Sequence, residues 1–141
     1  MHKCTSVWKG DMVFDNIIDG HPVTIAERPD EGEIVAPSPK RLMLASLAGC
    51  TGLDVVSLLN KMRAPFEHLE MDVEADLSDD IPKVYTEIRL VYRFYGKQLK
   101  KNKIEKAVRM SQDVYCGVSA MMRKNCPIIW SIEYAEGMPE Q

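Results

Sequence analysis

Cysteine is the one reactive class in this chain of 141 residues that offers a plausible pair, since Cys4, Cys50, Cys116 and Cys126 are the residues best suited to nucleophilic or redox chemistry. The three histidines, His2, His21 and His68, lie far apart and form neither an i, i+4 helical couple nor an H-x-E arrangement. With no CxxC either, the ligand spacing of a zinc site is missing and no metal is expected. A P-loop, a GxGxxG after a strand and a G-x-S-x-G elbow are also absent, so nucleotide and serine-hydrolase chemistry lack a motif. What thiols do, they do as thiolates. A free thiol titrates near 8.5, so a reactive one needs a cation or a helix terminus beside it.

Cys50 sits in AGCTG, residues 48–52, between Gly49 and Gly52. Each glycine costs a helix roughly 1 kcal/mol relative to alanine. Two readings of Cys50 stand at this point: a small packing thiol, or a sulfur beside which space has been cleared for another backbone or a small ligand. Cys116 precedes Gly117, where a helical run breaks. It reads either as a buried thiol or as one opening a new helix, where the positive dipole end favours thiolate. Cys4 and Cys126 read as packing or incidental thiols. Of the nearby cations, Lys40 and Arg41 lie nearly three helical turns from Cys50, roughly 14 Å. Arg28, on the preceding loop, is the better candidate to reach it.

The elements that must position these residues follow from periodicity. CTSVW, MVFDNII and HPVTIA, with Asp19-Gly20 as a tight turn, predict two consecutive hairpins. The charged segment 27–37, punctuated by Pro29, Gly32 and Pro37, reads as a loop. Ser38-Pro39 marks a helix start, the hydroxyl accepting from an orphan N–H, and the helix runs to about Arg63. Its apolar residues cover nearly the whole circumference, which predicts a central helix covered on most sides. Leu69, Met71, Val73, Ala75 and Leu77 alternate with acids, and Val84, Ile88, Leu90, Tyr92 and Phe94 form the apolar face of the next strand, opposite Glu87, Arg89 and Arg93. A second helix carries Ile104, Ala107, Val108, Val114 and Tyr115, and IIWSIEY makes a last strand. The order β-β-β-α-β-β-α-β predicts one α+β domain over 1–141, helices on an antiparallel sheet. So few elements leave little material to cover an all-round apolar helix, and unless three or more strands wrap much of it a second subunit is the simplest cover.

Composition narrows the partners. Lys and Arg number 18 against 21 Asp and Glu, a formal charge of −3 with no basic stripe, which excludes a nucleic-acid surface. MHKCTSVWKG has no apolar h-region, and no run of about 18 uncharged apolar residues occurs. The expectation is a cytoplasmic protein with no membrane contact and thiols held reduced.

SPKRLMLASLAGCTGLDVVSLL and VYCGVSAM, together with KVYTEIRLVYRFYG and the opening strands, resemble the OsmC/Ohr family of thiol-dependent hydroperoxide reductases over essentially the whole chain, closest to its YhfA-like branch. The resemblance implies an intertwined homodimer with the long helix at its interface. It implies that Cys50 is the peroxidatic thiol, becoming a sulfenic acid, and that Cys116 resolves it to a disulfide reduced by an external dithiol. The two glycines would then make room for peroxide and the second sulfur. No metal, haem or flavin is implied, and the substrate is a small, organic hydroperoxide. One position departs from the family: a glutamate that holds the peroxide-polarising arginine is replaced by Lys40-Arg41. Either these cations supply the field, or Glu27, Glu31 or Glu33 substitutes, or peroxidase chemistry is weakened. Arg28 takes the arginine's place by resemblance. The alternative is a non-catalytic dimer that binds a small molecule or senses redox state.

Overall fold

The computed structural model describes residues 1–140. The chain divides into two compact units, the first ending at Leu44 and the second beginning at Ala45. In the first, β1 (Cys4–Gly10), β2 (Val13–Ile18) and β3 (His21–Ala26) pair antiparallel in that order. Asp19 and Gly20 both have positive φ, 50° and 82°, the two-residue turn whose twist matches the strands it joins. Residues 27–38 are irregular, as their composition predicts.

Helix α1 (Pro39–Lys61) follows, with no acid in its first turn. The Ser38 hydroxyl, expected to cap a main-chain N–H, accepts at 3.0 Å from the Arg41 guanidinium. Only one stripe of α1 is fully buried in the single chain: Leu47, Thr51, Val55 and Leu59. Met43 and Leu53 are 48% and 75% exposed, so the helix is less covered than its composition predicts. By length and composition alone α1 is long and apolar enough to cross a membrane, although Asp54 breaks the uncharged run between Leu42 and Leu59. At its other end, Lys103 Nζ donates to Met62 O at 2.8 Å and Lys100 Nζ to Arg63 O at 3.0 Å. These place positive charge on carbonyls that no helical N–H can reach.

The second sheet is β4 (His68–Leu77), β5 (Tyr85–Tyr95) and β6 (Ile128–Ala135). Ile88, Leu90, Tyr92 and Phe94 of β5 are buried as expected, while Val84 falls before the strand and is exposed. On the opposite face Arg89 forks onto Asp76 at 2.7 and 3.0 Å, and Arg93 reaches Glu133 at 2.8 Å and Asp72 at 3.0 Å. Those carboxylates hold both guanidiniums firmly protonated. One pairing differs from the antiparallel sheet of the sequence reading: β6 lies parallel to β5. The helical connection between them returns the chain to its starting end, and a strand entered from there must run parallel.

That connection holds two helices rather than one. Helix α2 (Lys101–Met110) buries Ile104, Ala107 and Val108, then gives way to a π-helical turn, Ser111–Tyr115, before α3 (Gly117–Met122). The Cys116 N–H reaches back five residues to Ser111 O at 2.8 Å. The wider turn shifts the register, so Ser111 and Gln112 are buried, whereas Val114 and Tyr115, predicted for the apolar face, are 70% and 55% exposed.

Candidate active site

Cys50 projects from the middle of α1, and Asp54 follows one turn later on the same face. The π turn delivers Cys116 to the position capping α3, where its sulfur accepts from the Ser119 N–H at 3.4 Å. The sulfurs of Cys50 and Cys116 and a carboxylate oxygen of Asp54 all lie within 4.8 Å of one another. Two thiols distant in the sequence are thus brought together. Cys50 and Asp54 are half-buried, and Cys116 is 3% exposed.

Beneath this group runs a buried hydrogen-bonded cluster. Thr51 Oγ1 lies 2.7 Å from both Tyr92 OH and Ser111 Oγ, and Gln112 Nε2 donates to Tyr92 OH at 2.8 Å. Ser111 Oγ also donates to Asp54 Oδ2 at 2.9 Å, fixing the carboxylate. Arg123 clamps Gln112 through its carbonyl at 2.6 Å and its Oε1 at 2.7 Å. Thr51 and Ser111 are fully buried, so an isosteric Thr51→Val strands polar partners at about 1–3 kcal/mol.

Burial pushes the Cys116 thiol pKa up; the Ser119 contacts pull it down but do not prevail, and Cys50 adds to the rise. The helix start expected to favour thiolate is present and is outweighed. Burial likewise raises Tyr92. The Ser119 hydroxyl is buried and forms no hydrogen bond of good geometry among the described residues, although it acts on Cys116 at short range.

Cys4 is exposed on β1 and Cys126 is buried before β6. Arg28 lies on the exposed segment after β3, in the first unit. Neither glycine clears space for the second sulfur: a Cβ at Gly49 would meet nothing within 4 Å, and one at Gly52 would press on the Met71 methyl at 3.1 Å. Gly52 therefore lets α1 approach β4. Asp54, Thr51 and Ser111 escaped the sequence reading. An acid four residues after Cys50 in an otherwise apolar helix was the available signal for Asp54.

An α+β fold with two thiols meeting where α1 faces the start of α3 is the framework of a thiol-bearing OsmC/Ohr-type protein. The chain belongs to the OsmC-like protein family, whose pattern matches residues 30–131 and so takes in both cysteines but not Arg28. Protein YhfA of Escherichia coli strain K12 is 34% identical over 98 residues, covering 70% of this chain and 73% of that protein. Among solved structures, the OsmC-like protein from Mycoplasma pneumoniae matches with a TM-score of 0.83 at 16% identity, covering 96% of this chain and 97% of the other. The organic hydroperoxide resistance protein OhrB of Bacillus subtilis matches at 0.68 and 18% identity, covering 94% and 98%. These likenesses establish the fold. The OsmC/Ohr family includes peroxide-reducing enzymes.

Proposed function

We propose that the protein is a thiol-dependent peroxidase that reduces small organic hydroperoxides in the reducing cytoplasm, working as a homodimer. The observation that carries this reading is the approach of Cys50 Sγ and Cys116 Sγ to within 4.8 Å. Their exposure supports the roles that the family resemblance implies, in which peroxide meets half-buried Cys50 while buried Cys116 waits as a thiol. The Cys50 thiolate attacks the O–O bond, and with one proton taken up the products are the alcohol and a Cys50 sulfenic acid. Cys116 then displaces the hydroxyl as water, its own proton supplying the balance, and forms the disulfide. Closing to the roughly 2 Å of an S–S bond asks for only a modest shift. An external dithiol restores both thiols and leaves oxidised. Arg28, carried over from the family resemblance, is proposed to polarise the peroxide.

A second reading, a dimer that binds a small molecule or senses redox state without turnover, is favoured by one observation: the first turn of α1 carries no acid, Lys40-Arg41 standing where the family's glutamate is expected. Adding stoichiometric cumene hydroperoxide to reduced protein separates the two. The peroxidase loses two thiols per chain, loses none in Cys50→Ser, and in Cys116→Ser stops at a sulfenic acid that dimedone traps. Unchanged peroxide consumption with dithiol in both variants would sink the assignment.

A further inference from the structure

Asp54 has no part in the peroxidase steps, yet it is held against both sulfurs. We propose that Cys50 Sγ, Cys116 Sγ and an Asp54 carboxylate oxygen form a three-ligand site for a borderline divalent cation of the zinc class, with a fourth position left open. Zinc bonds of about 2.3 Å to sulfur and 2.0 Å to oxygen set tetrahedral ligand separations of about 3.5–3.8 Å. The three atoms already lie within 4.8 Å of one another, so the ion needs small adjustments rather than refolding. Among the described residues this is the one group of three such ligands gathered so closely.

Three features of the surroundings suit a metal. Cys50 and Asp54 are four residues apart on one helix face, which presents two ligands side by side. Ser111, fully buried and bonded to Thr51, donates to Asp54 Oδ2 at 2.9 Å, the outer hydrogen bond that orients a ligating carboxylate. Ser119 N–H points at the Cys116 sulfur. The sequence offers no zinc spacing because its ligands come from α1 and from the far side of the helical crossover. Half-buried Cys50 and Asp54 leave the ion a path in and out, and three protein ligands make an exchangeable rather than a closed structural centre. Binding displaces the two thiol protons.

The consequence for catalysis rests on the peroxidase reading. A bound ion caps both thiolates, and oxidation ejects it: the zinc dithiolate plus hydroperoxide plus two protons gives the disulfide, the alcohol, water and free Zn²⁺. The two electrons come from the sulfurs.

The test uses reduced, metal-free, full-length protein with no peroxide, titrated with Zn²⁺ against a chromophoric chelator. One Zn²⁺ per chain is expected, with affinity falling more than about tenfold in Cys50→Ser, Cys116→Ser and Asp54→Asn. Cys4→Ser and Cys126→Ser should bind as wild type. Substoichiometric binding, or full affinity in any of the first three variants, overturns the site. In the wild-type chain, bound Zn²⁺ should slow alkylation of Cys50 and Cys116 and leave Cys4 unaffected; equal rates with and without the ion overturn it too. A protein that binds Zn²⁺ but spares hydroperoxide sinks the peroxidase reading alone, and the converse sinks the metal site alone.

Discussion

At Cys116 two influences oppose each other. The start of α3 offers the Ser119 N–H to the sulfur, and position in the chain would therefore favour thiolate. Burial and the neighbouring Cys50 push the other way and win, so the thiol pKa is raised. The pH dependence of the resolving step follows. Attack on a Cys50 sulfenic acid requires the Cys116 thiolate, whose fraction at neutral pH is smaller than an ordinary thiol's. The rate of disulfide formation, read by rapid quench after oxidation, is expected to climb with pH beyond the ordinary thiol range without an earlier plateau. A plateau near neutrality contradicts the protonated resting state. The same sign applies to stability: the unfolded thiol releases its proton first, so this contribution is present below the unfolded pKa and is lost as pH rises through the folded one. The identity of Cys50 and Cys116 as the residues to watch was legible in the sequence. Asp54 was not, because its importance depends on a sulfur from another helix standing opposite.

Among the elements, the π turn decides most. A continuous α-helix from Lys101 would have turned Val114 and Tyr115 inward, as helical periodicity predicts; instead Ser111 and Gln112 take the buried positions and join the Thr51–Tyr92 cluster. A π turn behaves as one residue inserted into an α-helix. Deleting Val114 is therefore expected to restore regular helix and to rotate Cys116 away from Cys50. The measurable outcome is retained helical circular dichroism with loss of peroxide-driven disulfide formation, while Val114→Ala preserves both. Disulfide formation at the wild-type rate in the deletion variant would show that the turn does not set the sulfur geometry. The strands were far more legible. Alternation along β4 and β5 identified the buried face of β5 and the charged ladder opposite it, since a period of two needs no knowledge of the partner strand. The parallel pairing of β6 was hidden, because strand direction follows from how the crossover packs.

For the whole molecule, the open face of α1 is the feature that asks for a partner. Leu53 is 75% exposed in the single chain, so Leu53→Glu disturbs no internal packing there. If a second copy covers this face, as the dimer reading holds, light scattering is expected to show the wild type as a dimer and Leu53→Glu as a monomer of unchanged helix content. A variant that stays dimeric removes α1 from the interface. By itself the sequence determined what short-range physics determines: the six strands in their order, the tight turn at Asp19-Gly20 and the helix start at Pro39, because turns, helix starts and side-chain periods depend on a few neighbouring residues. Only the tertiary structure decided which sulfurs meet, that a carboxylate stands between α1 and the start of α3, and that β6 runs parallel to β5. Those outcomes rest on packing between residues distant in the chain and on a π register that no local period announces.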